Sequence, residues 1–229
     1  MKTKQVALIL YLISSFVAVL ATILNQEVLM LLAKPTVIPA ILFYYLSTKT
    51  QPVNKFLILI LILNFIGDTL VLLEFENQTK IIMVPYFCSY LIFLKLAMDD
   101  VKKMGFNSLG ILITLTVFSF LMFIMYSLIQ LFIDIHKDLV IPVVIYGIVL
   151  GSFCALASYS YYVKNAVFAF YLLTTAMLSI MSDVFYIIFN FIFHFPALNY
   201  VEFAIQLLSY IFMVKYFISK ETRVELNLN

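Results

Sequence analysis

LGILITLTVFSFLMFIMYSLIQLFI, residues 109–133, carries no charged side chain from end to end. Wound as a helix at 1.5 Å per residue, such a run reaches about 37 Å, more than the roughly 30 Å hydrocarbon core of a bilayer. It lacks strand alternation, and in lipid only a helix or a closed barrel satisfies its own backbone. Outward from it, charged or turn-rich breaks separate seven more apolar stretches, at about 6–24, 28–46, 56–73, 81–98, 139–162, 166–193 and 198–219. The expected fold is all-α, a polytopic membrane protein of about eight transmembrane helices, with residues 1–229 forming a single transmembrane domain. The first stretch follows Lys2 and Lys4 as in a signal peptide, but no A-x-A site ends it and further spans follow, so it reads as helix one.

Composition agrees. Of 229 residues, 65% are hydrophobic and 11% charged, with mean hydropathy +1.10, whereas soluble domains are about half apolar and a quarter charged. The net charge of +2 includes no basic run long enough to track a phosphate backbone, so nucleic acid is not an expected partner. Cys88 and Cys154 sit in apolar stretches without metal-ligand spacing and read as core thiols. No HExxH, GxSxG or Walker sequence occurs, and the two histidines, His136 and His194, fall in loops. No metal or cofactor is expected.

An even number of crossings puts both termini on one side. That side carries Lys2, Lys4, Lys49, Lys55, Lys102, Lys103, Lys164, Lys220 and Arg223, and the other only Lys80 and Lys137. By the positive-inside rule both termini are cytoplasmic. Glu27, Glu74, Glu76, Asp134 and Asp138 fall on the opposite side. The setting is an integral, multi-pass membrane, the inner membrane if the source is bacterial.

Charges inside spans are costly and mark functional candidates. Lys95 and Lys215 lie near the cytoplasmic ends, within snorkelling reach of the headgroups. Glu202 reads as solvated at the outer mouth of helix eight. Lys34, Asp68 and Asp183 are different: each lies inside an otherwise apolar span, at a common depth of roughly 8–10 Å below the outer boundary. Three charges from three helices at one depth suggest one site, although an ion pair that pins helix register is the plainer alternative. Ser179, Asp183, Tyr186 and Asn190 share one face of helix seven, and Asn64 and Asp68 one face of helix three, where Gly67 admits a close neighbour. Pro35 and Pro39 remove backbone donors beside Lys34, as in helices that line cavities. Gly147 and Gly151 form a GxxxG, read as close helix packing. The tyrosines and phenylalanines read as interfacial belts and lipid-facing bulk. LILNFIGDTLVLL (61–73) and AMLSIMSDVFYII (176–188) place Asp at the same point of two spans, as an internal duplication would.

Lys34-Pro35, Gly67-Asp68 and Ser182-Asp183, spread over eight spans, resemble the YhhN/lysoplasmalogenase family of membrane proteins. The sequence departs from the family pattern at Tyr90 and Phe93, where the family has His and Tyr, and at Thr175-Ala176, where it has Gly-Ala. Ser209-Tyr210 stands for the family's Thr-Tyr, and Val214 or Lys215 replaces the Gln that follows. The resemblance implies hydrolysis of the vinyl ether bond of a lysoplasmalogen to a fatty aldehyde and a glycerophospho-base, with a lysophospholipid as substrate.

That chemistry needs an acid to protonate the alkene carbon and a base to activate water. Two carboxyl groups sharing a poorly solvated site do not both ionise, which supplies one of each. The expected catalytic pair is Asp68 and Asp183, with acid and base unassigned between them. Lys34 is expected to orient or pair with one of them, and Asn64, Tyr90, Ser179, Tyr186 and Asn190 to position water and substrate. Two rivals use the same residues: a small proton- or ion-coupled transporter, and a non-catalytic membrane partner whose charges only pair helices.

Overall fold

The computed structural model describes residues 3–73 and 78–226, side chains of 223–226 excepted. Lys2, Glu74, Glu76 and the Arg223 side chain, all used in the charge count, lie outside the described residues. Within them the chain forms α1 (Thr3–Ile23), α2 (Glu27–Thr48), α3 (Lys55–Val71), α4 (Gln78–Lys102), α5 (Ser108–Phe132), α6 (Lys137–Lys164), α7 (Val167–Phe191) and α8 (Pro196–Leu226). The expected all-α architecture is the one observed, and seven of these helices are long and apolar enough to cross a membrane. α3 differs only in length: its 17 residues sit at the lower end of what spans a bilayer. The chain is an integral, multi-pass membrane protein.

Local sequence explains the helix ends. Asn54 caps α3, its side-chain oxygen accepting from the N–H groups of Phe56 (3.0 Å) and Leu57 (3.4 Å). Asn107 caps α5 by accepting from Gly110 N–H at 2.8 Å. Asn165 ends α6 in the left-handed region at φ 43°, which Asn tolerates better than most residues. α8 runs past the boundary expected near residue 219, to Leu226. Its last turns leave the apolar zone but find partners. Lys220 pairs with Asp100 at 2.6 Å, Tyr216 donates to the same carboxylate at 2.8 Å, and Tyr45 donates to Glu221 at 2.8 Å. These bonds tie α8 to α4 and α2 at the end that carries the termini.

The helices form a ring. α1, α2, α3, α4, α6, α7 and α8 each touch the next, and α8 returns to α1 and α2; α5 lies outside, packed on α6 and barely touching α7. Tyr11 of α1 closes the circuit by donating to the Leu207 carbonyl of α8. The buried residues of the main apolar core come from all seven ring helices, and α5 adds only partly buried Val117 and Leu121 at its edge. Only 6% of the apolar window of α5 is buried, so its Phe120, Phe123 and Leu131 face outward, where lipid replaces protein as the apolar partner. At the end near the termini the ring is filled by fully buried Tyr45, Phe93, Phe153, Tyr216 and Phe217, with Phe93 and Phe153 stacked at 5.1 Å. At the opposite end it is hollow.

Lys95 is exposed on α4 and its ammonium lies over the Phe56 ring, while Lys215 lies over Tyr171 and Phe212. Cys88 and Cys154 are free thiols, the second fully buried and the first partly so.

Candidate functional site

The hollow end holds a cavity of about 400 Å³. Its mouth lies where α2 begins (Glu27), α3 ends (Leu72), α4 begins (Gln78, Thr79) and α7 ends (Asn190). The charge count assigns this end to the non-cytoplasmic side. Lys34, Asp183, Glu202 and Gln206 lie on its walls together with Tyr86 and Tyr146.

Asp183 is held by two tyrosines. Its Oδ2 accepts from the hydroxyl of Tyr146 at 2.9 Å and from that of Tyr90 at 3.3 Å. The two rings meet edge to face with centroids 5.5 Å apart, which fixes both hydroxyls on one carboxylate oxygen. The other oxygen, Oδ1, has no hydrogen bond among the described residues.

Asp68 is placed differently from expectation. It is 3% exposed and does not line the cavity. Its Oδ1 accepts from Tyr86 (2.7 Å) and from the Gln206 amide (3.1 Å), and its Oδ2 from Tyr210 (2.9 Å). Gln206 also donates to the Tyr86 oxygen at 2.9 Å. Tyr86 and Gln206 therefore stand between Asp68 and the cavity, and both line it. Tyr86 and Tyr90 are four apart on α4, so one helical face sends a hydroxyl to each aspartate.

Gly67 makes room for this. A β-carbon there would stand 2.7 Å from Cζ of Tyr86, so Gly67→Ala is expected to push the ring off Asp68 and to destabilise the protein by about 1–3 kcal/mol, as overpacking does. A lowered unfolding midpoint in detergent is the check, and an unchanged midpoint would mean that Tyr86 has other room.

Lys34 is 4% exposed, and among the described residues it forms no ion pair within 4 Å. The expected pairing with an aspartate is thus not formed. Instead the ammonium lies 4.8 Å from the centroid of the Phe203 ring, a cation–π contact, and shares the cavity wall with Glu202. α2 runs unbroken through Pro35 and Pro39. Pro35 has no N–H for the Leu31 carbonyl, and Leu31 lines the cavity.

Glu202 corrects the solvated reading. It is partly buried, lines the cavity and accepts from the Ser182 hydroxyl at 3.2 Å. Ser182 and Asp183 are neighbours in sequence, so α7 presents one to Glu202 and the other to the cavity.

The remaining expected site residues divide. Tyr186 and Asn190 line the cavity; the Tyr186 hydroxyl is 3.4 Å from that of Thr79, and the Asn190 amide donates to the Tyr186 carbonyl at 2.9 Å. Ser179 is buried one helical turn before Asp183 and does not line the cavity. Asn64 does not reach the cavity: its amide donates to the Ile60 carbonyl (2.8 Å) and the Ser89 hydroxyl (3.2 Å), sewing α3 to α4. No three of the His, Cys, Asp and Glu side chains among the described residues converge as metal ligands.

Four participants escape sequence reasoning as parts of the site: Tyr86, Tyr146, Glu202 and Gln206. Tyr210 enters there only through the family motif Ser209-Tyr210, and a signal exists in its spacing, since Glu202, Gln206 and Tyr210 recur every four residues along one face of α8.

A family model described as the YhhN family matches residues 29–220. The chain belongs to the YhhN family. The match spans α2 to α7 and most of α8, so every residue of the cavity wall named above except Glu27 lies within the family's own extent. Among curated proteins and among solved structures nothing matches the chain. Membership fits a membrane hydrolase of the lysoplasmalogenase type at the level of the family.

Proposed function

We propose that this YhhN-family protein hydrolyses the vinyl ether bond of a lysoplasmalogen-type lysophospholipid, with Asp183 as the group that touches the reacting carbon. The observation that carries the reading is that Asp183 and Glu202, two carboxyl groups, line one cavity together with the cation of Lys34. With one carboxyl protonated, the other ionised and Lys34 charged, the cluster is net neutral, the least costly state away from water.

Protonated Asp183 delivers its proton to the alkene carbon remote from the ether oxygen. The π pair forms the new C–H bond, and a lone pair on the ether oxygen stabilises the cation as an oxocarbenium ion. Glu202 takes a proton from water as the water oxygen adds to the carbon that bears the ether oxygen. The hemiacetal so formed gives its hydroxyl proton to the Asp183 carboxylate. The bond to the glycerol oxygen breaks, and that oxygen recovers the proton held by Glu202. One water is consumed, a fatty aldehyde and a glycerophospho-base leave, and both carboxyl groups return to their starting states. Paired acid and base functions of this kind contribute about 10²–10⁴-fold each.

Asp68, expected in the pair, enters as a positioning residue that holds Tyr86 and Gln206 on the cavity wall. Lys34 offsets the charge of ionised Glu202. Tyr90 and Tyr146 fix the face of Asp183 that points at the substrate, and Tyr186 and Asn190 offer polar contacts nearer the mouth. The transport reading gains nothing from the ring's other end, which buried aromatic side chains fill.

Purified protein in detergent is expected to release aldehyde from a vinyl-ether lysophospholipid and none from the saturated-ether analogue, which has no alkene to protonate. Equal turnover of both lipids, or of neither by a monodisperse sample, would overturn the proposal.

A further inference from the structure

Behind Asp183 lies a second, smaller space of about 70 Å³ between α5, α6 and α7. Its walls are apolar, with Leu121 and Leu128 from α5, Leu150 from α6 and Ile180 and Val184 from α7. Only Tyr146 and Asp183 bring polar atoms to it. Val143, Tyr146, Asp183 and Ile187 line both this slot and the main cavity. The Asp183–Tyr146 pair is therefore a partition, with a mixed chamber that carries the charged and amide side chains on one side and a hydrocarbon-like slot on the other.

The slot's floor is adaptable. A β-carbon on Gly147 would stand 2.4 Å from Sδ of Met125, and one on Gly151 2.7 Å from Cε of Met122. The GxxxG thus seats two methionines of α5, unbranched side chains that rearrange readily. α5 is also the helix outside the ring, and it meets α7 at few residues, Phe132 and Phe191 among them. The slot lies beside this sparsely packed seam.

We propose that this slot receives the first methylenes of the hydrocarbon chain of a single-chain amphiphile whose polar part occupies the main cavity. A molecule spanning the partition has its polar-to-apolar junction at Asp183. An ether or vinyl-ether linkage occupies that junction in a lysophospholipid, so the slot rests on and deepens the hydrolase reading. It also assigns chain recognition to Leu121, Leu128, Ile180 and Val184, none of which takes part in the chemistry.

The test is photolabelling of the protein in detergent with a saturated-ether lysophosphocholine bearing a diazirine within the first few carbons of its alkyl chain. Peptides are mapped by mass spectrometry with and without excess unlabelled lipid. This probe is not cleaved, so the readout is independent of turnover. Competable labels are expected within residues 121–128, 147–151 and 180–184. Val184→Phe, or Leu121→Phe should the first variant fold poorly, is expected to weaken labelling about tenfold by filling the slot. Labels in the slot from a protein that releases no aldehyde would overturn the hydrolase reading and support the slot. Competable labels confined to α1, α2 or α8, or labelling that neither variant changes, would overturn the slot.

Discussion

Asp183→Asn is expected to lower aldehyde release from a vinyl-ether lysophospholipid by about 100- to 10,000-fold, the range that general acid–base groups contribute. The substitution keeps the shape of the side chain and an oxygen able to accept from Tyr90 and Tyr146, whose hydroxyls lie 3.3 and 2.9 Å from Oδ2. What it removes is the transferable proton. The unfolding midpoint is therefore expected to stay close to that of the wild type while turnover collapses. Glu202→Gln is expected to lose activity in the lower part of the same range, since Ser182 still finds an acceptor but water loses its base. Release assays on both variants, with lipid binding measured alongside, separate lost chemistry from lost binding. Substantial turnover by Asp183→Asn would remove Asp183 from the reaction.

The second large effect is on stability. Asp68→Ala is expected to destabilise the protein by about 3 kcal/mol or more, because each buried donor left without an acceptor costs about 1–3 kcal/mol. Three donors lose their acceptor together: the hydroxyls of Tyr86 and Tyr210 and the amide of Gln206. They come from α4 and α8 and meet on α3, so one carboxylate joins three ring helices. Asp68→Asn retains one acceptor oxygen but turns an amide towards a donor, and a smaller loss is expected. Asp183→Ala should cost less than Asp68→Ala, since it strands two hydroxyls rather than three donors, and one of the two, on Tyr146, lines a cavity that water can enter. Thermal unfolding in one detergent, read across the three variants, gives the order. A midpoint for Asp68→Ala equal to that of the wild type would contradict the clamp.

The helices were legible in the sequence because charge marks their ends so sharply. The stretch expected over 109–133 is α5 at Ser108–Phe132, and that over 28–46 is α2 at Glu27–Thr48. α8 outran its expected end because Lys220 and Glu221, which look like loop residues, are satisfied by Asp100 and Tyr45. Asp68 and Asp183 stood out because a short acid inside an apolar helix cannot reach water. What the sequence concealed was which face of each helix looks into the ring. Lipid-facing and protein-facing surfaces are both apolar here, so periodicity carries little information about the interior.

For that reason Tyr86 and Tyr146 read as belt residues, although each ends on a buried or cavity-lining aspartate. Direction was not legible. Asp68 and Asp183 are expected at one depth, yet one is sealed behind Tyr86 and Gln206 while the other meets the cavity. Glu202 was misread for the converse reason. Its nearness to the loop suggests solvent, but α8 turns it inward towards Ser182 and the cavity that Lys34 also lines.

The central claim is that a proton reaches the alkene carbon of a vinyl ether in the cavity at Asp183, followed by water. Turnover of a vinyl-ether lysophospholipid in D₂O, and separately in ¹⁸O-labelled water, with the aldehyde trapped at once and weighed by mass spectrometry, tests it most directly. The account predicts one deuterium on the carbon next to the aldehyde carbonyl and ¹⁸O in the carbonyl itself. Aldehyde carrying neither label, or no aldehyde from a folded sample, would contradict it.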